Sequence, residues 1–410
     1  MKNFFNAIGV AYMEKVHSAM IAWILDDAND VTLHPTASSE SIFSTFPQDI
    51  RSRLLCKMFG VSPQREFKSI RTHVEWNDID IMIETKEDKG KEDVWVIENK
   101  LKTQEHLSNE KDKSGRKTQI WQTEKYVNII RDTFPNRTPH YMLLSLGGDK
   151  ARSTSEDWLP YTYSQLHQLL SSVDSLQKYV LVKEYVNAIG LIVSELEKFL
   201  NSKDYGNDYP NVFLKTSKAE KAIKPHTPVE AFIIENGLET IFQKQLLAKM
   251  IHENLPEIEK KVHYDERNGT AMFVLPVSER INGFEFNIEF QGGTYKVSLI
   301  HEDYINEGSY VHTDKIYGVW DKDKKEGNGK VYKIFRSYHE NNNWSLKVSQ
   351  NLGKKDAKTK PRIALVKSIK NWYDNPQNDF VKVFNDAKEL ANNLRNSITK
   401  ETTLFSVKKS

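Results

Sequence analysis

The sequence predicts an α/β protein whose mixed sheet is flanked by helices and is followed by an α+β region rich in antiparallel strands. Three observations carry this. Residues 78–84 and 94–101 read as two apolar strands around a polar turn, with helical spacing before and after them. "HYMLLSL" (140–146) is a continuous apolar run of the kind found in strands buried on both faces. Residues from about 260 to 350 hold short alternating runs, parted by Asn-Gly at 268 and 282 and Gly-Gly at 292.

Taken in order, residues 10–26 ("VAYMEKVHSAMIAWILD") place Val16, Met20, Trp23 and Ile24 on one helix face. A second helix is expected within 47–59, stopping near Gly60. "HVEWNDIDIMIET" is expected as one strand, "KEDKGKED" as a turn around Gly90, and "VWVIENKL" as the second strand of a hairpin. A charged run, 105–117, leads to "TQIWQTEKYVNIIRDTF", a helix that offers Tyr126, Val127 and Ile130 for packing. "LGGDKARST" lacks the spacing of a phosphate loop and reads as a turn. "YSQLHQLLSSV" and residues 176–200 are expected as helices.

Since 410 residues exceed one ordinary core, two domains are expected, 1–200 and 227–410, with a polar linker over 201–226. In the second, "AMFVLPV", "FEFNIEF", "YKVSLI", "VYKIFRSY" and "WSLKVSQ" are expected as strands, and residues 361–375 and 379–397 as closing helices. Hydrophobic content of 39% and charged content of 28% describe a foldable, soluble chain. A net charge of +2 does not advertise a polyanion, so any such face must come from local clustering. Cys56 is the sole cysteine, which excludes an internal disulfide and a thiolate zinc cluster. With no apolar run of membrane-spanning length and no ordinary cleavable signal at the start, a cytoplasmic protein with no membrane partner is expected.

Charged side chains are rarely buried unless paired or bound to metal, so acids and a lysine inside two apolar strands need an explanation. Side chains two apart share a strand face, which puts Asp78 with Asp80, and Glu98 with Lys100. If the strands pair, the carboxylates and the ammonium converge, a donor set suited to a hard divalent cation such as Mg²⁺. The bland alternative is a surface ion pair worth under about 1 kcal/mol. "FIIEN" (232–236) mimics "WVIEN" but sits in a helical pattern with no acidic strand upstream.

An acidic strand, a turn and a strand ending in Glu-x-Lys resemble the PD-(D/E)XK, or restriction-endonuclease-like, nuclease superfamily, most closely PD-(D/E)XK nuclease family 4. "EKVHSAMIAWILDD" looks like that group's opening helix, "ENKL" like its metal-bearing strand end, and "QTEKY" like its Gln-x-x-x-Tyr helix. The resemblance covers roughly residues 10–200 and departs from the pattern at Ile79, where the family usually has proline. It implies a restriction-endonuclease-like core and an Mg²⁺-dependent (endo)nuclease, with Mn²⁺ as a substitute ion. Asp80, Glu98 and the Asn99 carbonyl would hold the metal, Lys100 would orient water, Glu14 would reach in from the first helix, and Gln122 would fix phosphate or Lys100.

Asp78 competes with Asp80, and Gln119 with Gln122. His17 would assist Glu14 or simply pack, and Tyr126 is read as packing. Lys102, Lys113, Arg116 and Lys117, with Lys111, are candidates for contacting a phosphate backbone, or form a solvated loop. The expected partners are nucleic acid, DNA first, a companion defence protein or activating ligand at the C-terminal domain, and a second copy in a homodimer. Antiviral defence is the expected setting. The alternatives are an RNA-directed nuclease and a non-cleaving binding module on the same fold. In the second half, Tyr310, Tyr317, Trp320, Tyr332 and Trp344, with "GKKDAKTKPR" (353–362), would either grip a ligand or serve as structural cover.

Overall fold

The computed structural model describes residues 4–7, 9–11, 13–27, 47–102, 105–111, 117–213, 225–267, 270–277, 284–291, 293–301, 316, 318–321, 323–324, 326–348, 362–369 and 376–406. They separate into two compact units, Met1–Phe199 and Leu200–Ser410.

After one short helical turn, Phe4–Ala7, the N-terminal unit runs through helices α1 (Glu14–Leu25) and α2 (Gln48–Met58) and strands β1 (Phe67–Trp76), β2 (Ile79–Glu87) and β3 (Glu92–Lys100). A ribbon, β4 (Leu107–Lys111) and β5 (Lys117–Trp121), precedes α3 (Gln122–Thr133), β6 (Thr138–Ser145), β7 (Trp158–Thr162), α4 (Tyr163–Ser171) and α5 (Val180–Leu200). The five-stranded sheet runs β1-β2-β3-β6-β7, antiparallel at first and parallel from β3 to β6 to β7. This is the mixed α/β sheet that the sequence predicts.

Both faces of the sheet are covered, which explains why its central strands are apolar nearly throughout. On one face, Met82, Val94, Val96, Tyr141 and Leu143 join Tyr126, Val127 and Ile130 of α3 in a single core cluster. Against β1, β2 and β3 packs α1. The start of β3 is pinned by Asp93, whose sealed carboxylate accepts from Arg65 Nη2 at 2.5 Å and lies 3.3 Å from His140 Nε2. The ring of His140 stacks on Trp95 at 3.8 Å.

The structure corrects several expectations. "HVEWNDIDIMIET" is two strands, because Asn77 and Asp78 take φ of 50° and 67° and turn the chain between paired Trp76 and Ile79. Both central residues of a type I′ turn need positive φ, and Asn and Asp tolerate it better than other non-glycines. Asp78 therefore lies on the turn rather than beside Asp80 on a strand. The charged run holds the β4–β5 ribbon, and "LGGDKARST" leads into the edge strand β7. Capping explains the sharp start of α4: Thr162 Oγ1 accepts from Gln165 N, while the Gln165 side chain accepts from Thr162 N.

In the C-terminal unit, helices α6 (Tyr205–Asp208), α7 (Pro210–Phe213), α8 (Pro228–Glu235) and α9 (Glu239–Asn254) lead into the second sheet. Its strands are β8 (His263–Arg267), β9 (Thr270–Pro276), β10 (Phe284–Gln291) and β11 (Thr294–His301), joined by β14 (Ser345–Val348) and β15 (Arg362–Ser368). Between β11 and β14 lie a small pair, β12 (Trp320–Asp321) and β13 (Glu326–Gly327), and α10 (Lys330–Asn341). The chain closes with α11 (Pro376–Ser406). The sheet order is β14-β15-β11-β10-β9-β8, antiparallel throughout, as its alternating runs predict.

Here "VYKIFRSY" is helix α10 rather than a strand, since Val331, Tyr332 and Phe335 share a buried helical face. Residues 362–368 are a strand rather than a helix, because "RIALV" pairs along β11 and β14. Inside the expected linker, Tyr205, Tyr209, Asn211 and Val212 are buried, and Glu230 accepts from Asn211 N at 2.6 Å. "FIIEN" belongs to α8, apart from the final Asn236 that follows it. Tyr332 and Trp344 are buried, so they are core; Tyr310, Tyr317 and residues 353–361 lie outside the described residues.

Candidate active site

The site forms where β3 ends. Glu98 and Lys100 alternate onto one face of β3, and the neighbouring β2 sets Asp80 beside them. Asp80 Oδ2 accepts the Asn99 main-chain N–H at 2.8 Å, which ties the acidic strand to the Glu-x-Lys strand. Lys100 Nζ stands 2.5 Å from Glu98 Oε1. The Glu98 side chain has no exposure, and that of Lys100 only 10%. This is no surface ion pair.

Asn99 points the other way. Its Nδ2 donates to the Glu14 carbonyl at 2.9 Å and to Ser18 Oγ at 3.1 Å, and its Oδ1 accepts from Tyr163 Oη at 2.7 Å. One residue thus fastens the end of β3 to both α1 and α4. At the start of α1, Glu14 Oε1 accepts the Lys102 N–H at 2.7 Å. Its charge reaches both Asp80 and Lys100.

Burial raises the Asp80 carboxyl, although the Asn99 N–H and Lys100 oppose it. Glu98 is pushed far above the usual carboxylate range, by burial and then by the Asp80 charge. Burial works against the Lys100 ammonium, yet the charges of Glu98, Asp80 and Glu14 outweigh it and raise its pKa.

Neither Glu98 oxygen, both sealed from solvent, makes an aligned hydrogen bond, despite the closeness of the ammonium. A buried carboxylate left so is costly unless something binds it. The unsatisfied Glu98 carboxylate beside that of Asp80 suits a hard cation that brings its own waters, so the donor set fits a divalent ion. Among the described residues, no three of His, Cys, Asp and Glu form a ready-made cage, and Glu14 is engaged with Lys102 instead.

From α3, Gln122 Nε2 donates to Tyr126 Oη at 2.5 Å, and its buried Oε1 has no hydrogen-bond partner among the described residues. Tyr126, read as packing, also works: its hydroxyl donates to the Asp78 carbonyl at 2.5 Å and clasps the strained turn. Asp78 itself is exposed and pairs with Lys125 at 2.9 Å, so Asp80 alone of the two faces Glu98. Gln119 sits on β5 and is exposed. Lys113 and Arg116 lie outside the described residues, and Lys117 opens β5.

His17 is structural. Its Nε2 lies 2.9 Å from the Ala11 carbonyl and Nδ1 3.3 Å from Tyr185 Oη, so the neutral ring donates from Nε2 and accepts at Nδ1. Burial lowers its pKa to about 4 from 6.5. The unfolded chain therefore binds the proton first. This stabilisation is complete above the unfolded value and is lost as pH falls to the folded one, about 3 kcal/mol in all. Urea unfolding at pH 7 and pH 4 is expected to show that loss in the parent and not in His17→Gln. Equal losses in both would place the acid sensitivity elsewhere.

A buried glutamate and a half-buried aspartate beside a lysine, at the end of a mixed sheet, form an arrangement that can support hydrolytic chemistry. Residues 2–158 match the family model described as PD-(D/E)XK nuclease superfamily. No curated protein and no solved structure matches the chain. No helix among the described residues is long and apolar enough to cross a membrane.

Proposed function

We propose that the N-terminal unit is a divalent-metal-dependent nuclease, with Mg²⁺ as the working ion and DNA as the substrate, acting in defence against foreign DNA. The observation that carries the reading is the sealed Glu98 carboxylate, unmatched by any aligned donor and set beside Asp80 and Lys100. Asp80 and Glu98, with the Asn99 carbonyl, would hold the ion. Bound there, a divalent ion supplies Lewis acidity and a water of lowered pKa.

Lys100, whose ammonium is favoured by its acidic neighbours, would orient the attacking water and meet the charge that grows on the phosphate in the transition state. Gln122, whose buried carbonyl has no hydrogen-bond partner among the described residues, is assigned to fix a phosphate or Lys100. Glu14 holds Lys102 N and thereby the exit of β3. The C-terminal unit is assigned recognition of an activating ligand or companion protein.

The test is digestion of double-stranded DNA, single-stranded DNA and RNA with Mg²⁺, Mn²⁺ or EDTA. DNA cleavage that needs the ion and is lost in Asp80→Asn is expected. RNA cleavage alone would move the substrate; no cleavage of any polymer with either ion would reject the nuclease reading.

A further inference from the structure

The β6–β7 loop, residues 146–157, leaves the sheet beside the site, because Ser145 at the end of β6 is the register partner of Lys100. In open α/β sheets, ligands bind outside the carboxyl ends of parallel strands, and β3, β6 and β7 all end here. This surface loop is held by a dense set of bonds. Glu105, which follows the Lys100–Lys102 exit, accepts Thr123 N at 3.1 Å, the Thr123 hydroxyl, and Arg152 N at 2.8 Å. Ser153 N donates to Thr123 Oγ1 at 3.0 Å, and Ser153 Oγ donates to Glu124 Oε2 at 2.7 Å. Asp149 N donates to Ser145 Oγ at 2.7 Å, and Ala151 packs on the core. Loops are ordinarily the least ordered parts of a fold, so this fastening fixes something in place.

What it fixes is Arg152, whose guanidinium lies 4.3 Å over the Trp121 ring. Trp121 immediately precedes Gln122, so the stacked pair stands at the head of the helix that reaches the acids. A guanidinium held over an indole ring loses little freedom on binding and keeps the planar fork whose geometry matches phosphate.

From this arrangement we infer that Arg152, braced by Trp121 and the Glu105 latch, is a substrate-positioning residue that grips a backbone phosphate of the nucleic acid beside the cleaved bond. Site and role rest on the nuclease reading above. The phosphate contact adds a residue that the acid–lysine constellation does not contain.

The experiment measures oligonucleotide binding by fluorescence anisotropy in the Lys100→Ala protein with EDTA, so that nothing is cleaved, across a series of salt concentrations. Arg152→Ala added to that protein is expected to weaken binding about tenfold and to lower the salt slope by about one, the mark of one lost phosphate contact. Arg152→Lys keeps the charge but not the fork, and is expected to keep the slope while recovering only part of the affinity. In the cleaving protein, Arg152→Ala raises KM more than it lowers kcat, and melting curves confirm that each variant folds. Binding within twofold of the parent at an unchanged slope would overturn the role of Arg152 and leave the nuclease reading standing. A parent that binds no nucleic acid at all would remove both.

Discussion

Lys100→Ala is expected to cut single-turnover cleavage by about a thousandfold, the scale of removing one donor preorganised for a transition-state charge. KM should change far less, since the ammonium meets charge that exists only as the phosphate reacts. Breaking a buried ion pair usually destabilises by several kcal/mol, because a bare charge is left behind. Here the outcome differs: burial and the Asp80 charge already favour the protonated form of Glu98, and a carboxyl relieved of its ammonium can take up a proton rather than stay charged. Circular dichroism and melting of the metal-free protein should therefore change little. Lys100→Arg should not rescue, since a planar fork cannot replace a compact ammonium 2.5 Å from Glu98 Oε1. Cleavage within tenfold of the parent would take the chemistry away from Lys100.

The acid–lysine constellation was legible in the sequence because it depends on period-two alternation, which needs no tertiary knowledge. Asp80, Glu98 and Lys100 follow from two strands and the assumption that they pair, and β2 and β3 do pair. The choice between Asp78 and Asp80 needed the turn, and the turn was hidden because Asn77 and Asp78 take positive φ without a glycine to announce it. Misreadings in the second half have a shared cause. In "VYKIFRSY", apolar residues fit both periods over so short a window, and only packing on β15 and α11 selects the helix. Contacts with large sequence separation were not legible at all: Tyr163 reaches Asn99 across 64 residues, and Arg152 N reaches Glu105 across 47. Nothing local in "LGGDKARST" reveals that its arginine will lie on a tryptophan thirty-one positions earlier. The one sequence signal available was the density of hydroxyl residues, Ser153, Thr154 and Ser155, of which Ser153 Oγ and Thr154 N donate to Glu124.

Glu98→Gln is expected to destroy function while stabilising the metal-free protein. Gln fills the same volume and carries no negative charge, so a divalent ion loses one of two carboxylates and Mg²⁺ binding should fall below detection by calorimetry. Cleavage should drop at least about a thousandfold with it. Stability moves the other way, and its sign follows from linkage. The folded Glu98 holds its proton to higher pH than the unfolded chain does. Between those two values the native state binds more protons, so unfolding free energy falls as pH rises, until the folded carboxyl has ionised. Gln is neutral throughout and escapes that loss. In EDTA the variant should therefore match the parent near the ordinary carboxylate range and melt progressively higher above it. By pH 8 the gap should show as a higher Tm of the variant. Added Mg²⁺ should close the gap by stabilising the parent alone, because binding to the native state adds stability in proportion to the logarithm of saturation. A variant that melts lower than the parent at pH 8 in EDTA would mean that Glu98 is charged and satisfied by Lys100 before any ion arrives. The site would then be a finished ion pair with no capacity reserved for metal.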